Sequence, residues 1–201
     1  MATKAELLKL LEEKERRDKL KSYKDDFTSF AEQQIRIITK DASQGFIPFT
    51  FNEAQREITK ALDKQQKETG KVRCIILKAR QQGISTYCSA RVFWKTYFQQ
   101  HTRSVVLAHD SATSDALFSM SKNLIRNMPE GLKPNELTSN AKEIKIQSPA
   151  YTDKDAIGSY RLYTAGSPEA GRGTTPTVAG RMMRRFLLVY SRVSLSQMVQ
   201  K

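Results

Sequence analysis

Val72-Arg73-Cys74-Ile75-Ile76-Leu77 runs directly into Lys78-Ala79-Arg80-Gln81-Gln82-Gly83-Ile84-Ser85-Thr86, and the reading of this stretch decides the fold. Val72 to Lys78 form a short apolar run of the kind found in buried parallel strands. Ala79 to Thr86 are a polar turn with one glycine, and a helical pattern follows through about Gln99. A strand that ends in a loop and feeds a helix N-terminus presents outward-pointing backbone amides. The helix dipole there favours an anion such as phosphate.

Working outward, a second apolar strand is expected at Ser104-Val105-Val106-Leu107-Ala108. Asp110 or Ser111 then caps a helix that runs to about Asn127 and stops before Pro129. The order strand, loop, helix, strand, helix starts a parallel α/β sheet. Upstream, Asn52 is a good N-cap for a helix over Ala54 to Lys67, and Gly70 ends it. Ile47 to Phe51 reads as extended, after breaks at Gly45 and Pro48. Residues 4–40 read as helix, with Leu7, Leu8, Leu10 and Leu11 opening an apolar face and a charged run from Glu12 to Lys24 that suits a solvated or partner-seeking surface. Downstream, Glu143 to Ile146 and Ser159 to Thr164 alternate polar and apolar residues as short, partly antiparallel strands do.

Bulk composition narrows the function classes. The 201 residues allow one ordinary domain and a short appendage. With 34 basic against 21 acidic residues, the net charge of +13 attracts a polyanion. No uncharged apolar run approaches the roughly 20 residues that span a bilayer. The charged N-terminal pattern lacks an apolar signal core, so a cytoplasmic location is expected. Cys74 and Cys88 read as reduced core thiols, and the two histidines, His101 and His109, offer no zinc-site spacing. Phe93, Trp94, Tyr97 and Phe98 have spacings that suit core packing.

The P-loop pattern asks for Gly-x-x-x-x-Gly-Lys-Ser/Thr. Aligned on Gly83, the second glycine and the hydroxyl of Ser85 fit, while Lys78 and Ile84 stand where the first glycine and the lysine belong. The chemistry needs a cation near the β- and γ-phosphates, amides that wrap them and a hydroxyl for Mg²⁺. Lys78 or Arg80 can supply the charge that Ile84 cannot, and Ser85 is placed for the metal with Thr86 beside it. The alternative is a polar turn whose Gly83 simply permits tight packing.

Lys78 to Thr86 resembles the deviant Walker A loop of phage terminase large subunits, in which the basic residue is often moved to the front. Three further stretches agree in order. Pro48-Phe49-Thr50-Phe51-Asn52-Glu53-Ala54-Gln55 resembles the family's adenine-recognising segment, with Gln55 as base reader. Val105 to Asp110 resembles the strand and turn after the P-loop helix, and Thr164 to Gly173 resembles the segment before Walker B. The resemblance covers about residues 45–179.

It implies an α/β fold with a P-loop NTPase-like, mostly parallel sheet and flanking helices, incomplete here, after an N-terminal helical segment (1–44). ATP would lie against Gln55 and Lys78, Ala79, Arg80, Gln81, Gln82, Gly83, Ile84, Ser85 and Thr86. Mg²⁺ would sit on Ser85. Lys78, Arg80 and Arg172 (the last as an arginine finger) are the candidate catalytic residues. Double-stranded DNA, a terminase small subunit, a procapsid portal and a homo-oligomeric ring in the bacterial host cytoplasm are the implied partners and setting. The expected pattern then stops. From Gly180 to Lys201 there is no Asp or Glu, and five of these 22 residues are Arg or Lys. A frameshift, a premature stop or a gene boundary would each leave a basic 180–201 tail without the Walker B acid or the two-metal nuclease. Arg181, Arg184, Arg185 and Arg192 can bind DNA through charge alone. Three readings stand: the ATPase part of a packaging motor, a non-catalytic remnant or basic nucleic-acid-binding protein, and another P-loop motor such as a helicase. The usual helicase P-loop lysine is lacking at Ile84.

Overall fold

The computed structural model describes residues 3–38, 42–77, 82–140, 142–165, 167, 175–182 and 186–191, and beyond Gly180 the description is of the backbone. The N-terminal region departs from a single helix over 4–40. Helix α1 (Lys4–Asp25) starts with a capping box in which Thr3 and Glu6 exchange hydrogen bonds. It stops at Asp26, whose extended backbone lets its carboxylate accept the Ser29 amide at 3.0 Å and so begin α2 (Phe27–Gln34). The isoleucine-rich stretch after it is a strand, β1 (Arg36–Ile38), paired antiparallel with β2 (Phe46–Pro48). β-Branched residues pack well on such a pleated surface and lose rotamer freedom in a helix. Most of α1 faces solvent: Leu7, Leu8, Leu10 and Leu11 are exposed, and only Leu20 and Tyr23 are buried.

Helix α3 (Glu53–Thr69) begins at Asn52 and ends at Gly70, which adopts φ +67°. Strand β3 (Arg73–Leu77), helix α4 (Ile84–Phe98), strand β4 (Arg103–Ala108) and helix α5 (Ser111–Arg126) follow in the expected order. Asp110 caps α5 by accepting the Thr113 amide at 2.7 Å. Strands β5 (Asn135–Ser139), β6 (Glu143–Gln147), β7 (Gly158–Thr164), β8 (Val178–Met182) and β9 (Phe186–Ser191) complete the described strands. The limit drawn at 179/180 from sequence therefore falls inside β8.

Seven strands form one mixed sheet in the order β3-β9-β8-β4-β7-β6-β5. Its centre is parallel, with β4 flanked by β8 and β7. β9 runs antiparallel to both β8 and β3, so β3 points the same way as the parallel centre. β6 is antiparallel to β7 and β5. The fold is α/β, a mixed sheet flanked by helices.

Alternation along the strands sorts the two faces. Val106, Ala108, Tyr160, Leu162, Val178, Ile144 and Ile146 join the main core with α2, α4 and α5. Val105, Leu107 and Ala179, with Tyr163 against them, form a small separate cluster on the other face. α4 buries twelve of its residues, among them Phe93, Trp94, Tyr97 and Phe98 as expected of core aromatics. Phe27 of α2 packs on Trp94, and Phe30 on Tyr97 and Phe98, at ring separations of 5.3–5.4 Å. β3 departs from the buried strand expected of its apolar run. Among the described residues it ends the sheet order and pairs with β9 alone, leaving Ile75 at 67% and Leu77 at 73% exposure while Ile76 is buried.

Candidate functional site

In an open α/β sheet, ligands settle in the crevice beyond the carboxyl ends of the parallel strands. Here β3, β4, β7 and β8 all deliver their carboxyl ends to one sheet edge. That edge gathers the end of β3 at Leu77, the His109-Asp110 turn after β4, Ala165 and Ser167 after β7, and the end of β8 at Met182. The described ends of strands far apart in the chain thus lie at one edge.

The turn itself is built around Gly83. It precedes α4 with φ +65°, a left-handed conformation that suits glycine because it has no Cβ. Its carbonyl accepts the first helical hydrogen bond, from the Tyr87 amide at 3.0 Å. The amides of Ile84, Ser85 and Thr86 precede that bond and have no partner within the helix. Among the described residues no side chain caps the helix at Gly83. The first turn of α4 therefore directs donors without an intrahelical partner, and the positive end of the dipole, toward the carboxyl edge. Ser85 and Thr86 are half-buried there. Ile84 turns inward, 3% exposed and part of the main core, so the position following the glycine carries no cation.

Gln55 locks this turn in place. Its Oε1 accepts the Asn52 amide and its Nε2 donates to the Gly83 carbonyl, each at 3.1 Å. Asn52 Nδ2 adds a second tie, to the Gln82 carbonyl at 3.2 Å. The 3% exposure of Gln55 shows how closely α3 sits against the turn. A Cβ added at Gly83 would lie 2.8 Å from Gln55 Nε2. Beneath these contacts, Thr59 donates to the Gln55 carbonyl and shares a 2.8 Å hydroxyl contact with Tyr87. Arg91 donates to the Tyr87 hydroxyl and to Asp63. Burial raises the Tyr87 pKa, with smaller opposing effects from Arg91 and the Thr59 hydrogen bond. The phenol is held neutral as a strut. Asn52, Thr59 and Tyr87 were not singled out as site residues, and the visible signal for the first was the Asn52-x-x-Gln55 capping box.

Of the residues expected to bind nucleotide, Gln55, Gln82, Gly83, Ile84, Ser85 and Thr86 lie together at this turn. Lys78, Ala79, Arg80, Gln81 and Arg172 lie outside the described residues, as do Arg184, Arg185 and Arg192. β8 stands beside β4 where an acid-bearing strand was sought, and it reads Val178-Ala179-Gly180-Arg181-Met182. Asp110, at the end of β4, is committed as the α5 cap and pairs with His109. Asp153 belongs to a separate loop, where it pairs with His101 at 3.6 Å. Among the described residues no three His, Cys, Asp or Glu side chains gather as a metal site, and no helix is long and apolar enough to cross a membrane.

No family model matches the chain, and no curated protein matches it. Among solved structures it is similar to the large terminase ATPase domain of Thermus phage P74-26, with a TM-score of 0.42 and 14% identity. The similarity covers 50% of this chain and 43% of that domain.

Proposed function

We propose that residues 45–179 form the nucleotide-binding part of an ATPase of the DNA-packaging terminase type. The observation that carries this reading is the uncapped start of α4 at a left-handed Gly83, set at the carboxyl edge of the parallel strands. The triphosphate would lie across the amides of Gly83 to Thr86. Ser85 would hold Mg²⁺, while Lys78 or Arg80 would supply the charge absent at Ile84, and Arg172 would act as a finger toward a neighbouring subunit. Gln55 would read adenine through its remaining amide hydrogen or by exchanging its bond to Gly83. ATP and Mg²⁺ are the ligands of this reading. Double-stranded DNA, a small subunit, a portal and a ring of copies in the host cytoplasm are its partners and setting.

The acid that orients water is the missing part. With β8 lacking a carboxylate and no Asp or Glu from 180 to 201, binding without turnover is the expected behaviour of this chain alone. The basic-protein reading rests on the same deficit together with the +13 charge. Mg·ATP binding measured by calorimetry, with turnover measured in parallel, separates the two. Binding that falls roughly 10- to 100-fold in Lys78→Ala or Arg80→Ala, as loss of one charged hydrogen bond requires, supports the nucleotide site. A folded chain that binds DNA and no nucleotide overturns it.

A further inference from the structure

On the side of α4 away from the sheet, a cleft of about 420 Å³ opens between the end of α1, α3 and α4. Its charged lining is unbalanced: Lys24, Lys67, Arg91 and Lys95 face only Asp25 and Asp63. Asp63 is already engaged, taking a hydrogen bond from Arg91 at 2.5 Å. Arg91, 8% exposed, also donates to Tyr87 and lies 5.1 Å from the Phe27 ring centre and 5.8 Å from that of Trp94. Lys95, one turn along, places Nζ 4.7 Å from the Trp94 ring. Two cations are thus held a turn apart against an aromatic wall that excludes water on one side. Burial first, and the Arg91 charge second, lower the Lys95 pKa, and Asp63 and Asp25 oppose this without cancelling it. A site with surplus positive charge and low-dielectric walls concentrates anions.

We propose that this cleft is a second anion site, binding a phosphate-bearing small molecule, with Lys95 and Arg91 at its floor and Lys24 and Lys67 at its rim. It is distinct from the turn at Gly83: Lys95 stands eleven residues beyond Ile84, roughly 16 Å along the helix. Its volume is within the range of small-ligand pockets, ~300–1,000 Å³. Arg91 is kept in place by Asp63, Tyr87 and two rings, so the ligand meets a preset charge. The anion adds counter-charge to Lys95 beyond what Asp63 and Asp25 supply.

Trp94 is the sole tryptophan of the chain, and it reports on this wall directly. Its emission is titrated at constant ionic strength with pyrophosphate, inorganic phosphate and ATP, using the full chain. A saturable change is expected, weakened about tenfold in Lys95→Gln, as for loss of a charged hydrogen bond, and less in the exposed variant Lys67→Gln. Equal affinity for pyrophosphate and ATP assigns the site to phosphate alone, and tighter ATP binding assigns it to a nucleotide. Lys78→Ala and Arg80→Ala leave the titration unchanged if the cleft is the site. The proposal is overturned if sodium chloride gives the same response, if Lys67→Gln and Lys95→Gln bind like the parent, or if the P-loop substitutions abolish the signal. Because Lys67 is exposed, its variant stays informative even should Lys95→Gln unfold.

Discussion

Replacing Gly83 with alanine tests the candidate site at its hinge. Two effects add. Holding a residue with a Cβ in the left-handed region costs about 1–2 kcal/mol. The new Cβ would also lie 2.8 Å from Gln55 Nε2, and Gln55 cannot swing aside freely because both ends of its amide are engaged and it is 3% exposed. Displacing it forfeits a buried hydrogen bond, about 1 kcal/mol. The expected loss is therefore about 2–3 kcal/mol. For a chain of this size that lowers Tm by roughly 5–10 °C. Urea unfolding followed by far-ultraviolet circular dichroism measures it. The same substitution in a Gln55→Ala background should cost only the backbone part, about 1–2 kcal/mol. A Gly83→Ala protein within about 0.5 kcal/mol of the parent, or one that loses equal stability in both backgrounds, would refute the geometry and with it the preset turn on which the proposed nucleotide site rests.

Other outcomes follow from the same contacts. Asp63→Ala strips the carboxylate from the buried Arg91; since Tyr87 still accepts from the guanidinium, a loss of about 2–3 kcal/mol is expected, just below the usual range for a broken buried pair. Leu7→Gln and Leu11→Gln alter residues that are 55% and 51% exposed, so unfolding midpoints should move by less than about 0.5 kcal/mol. A larger drop would show that α1 packs against something. Burial pushes the Tyr160 phenol up to about 12. The neutral form is then favoured in the fold, so its contribution is intact below the unfolded value near 10 and lost as pH rises through 12. About 2–3 kcal/mol should disappear across that window, read as a falling urea midpoint together with delayed phenolate absorbance. Tyr160→Phe should flatten that part of the profile.

Much of the candidate site was legible because its chemistry is local. Asn52 and Asp110 announce helix starts through short carbonyl side chains that reach amides three residues on, and both cap as expected. Gly70 marks a helix end, and the Gly83-Ile84-Ser85 sequence marks where α4 begins. The helix expected over 4–40 failed for an equally local reason: Asp26 both stops one helix and starts the next, a role masked by the charged residues around it.

The sequence by itself determined which segments are helices and strands in the central run from Asn52 to Asn127, and that a glycine opens the helix after β3. It also determined that residues 180–201 hold no Asp or Glu. These are matters of periodicity, capping and composition, which act over a few residues. Tertiary structure alone decided the rest. β3 lies at an edge beside β9 because strand pairing is selected by the whole sheet, and an apolar run does not state its neighbours. Gln55 meets the Gly83 carbonyl across 28 residues, and Arg91 meets Asp63 across another 28. Such contacts exist only once packing has placed α3 against α4, where a buried polar group must find its partner or forgo the gain of folding.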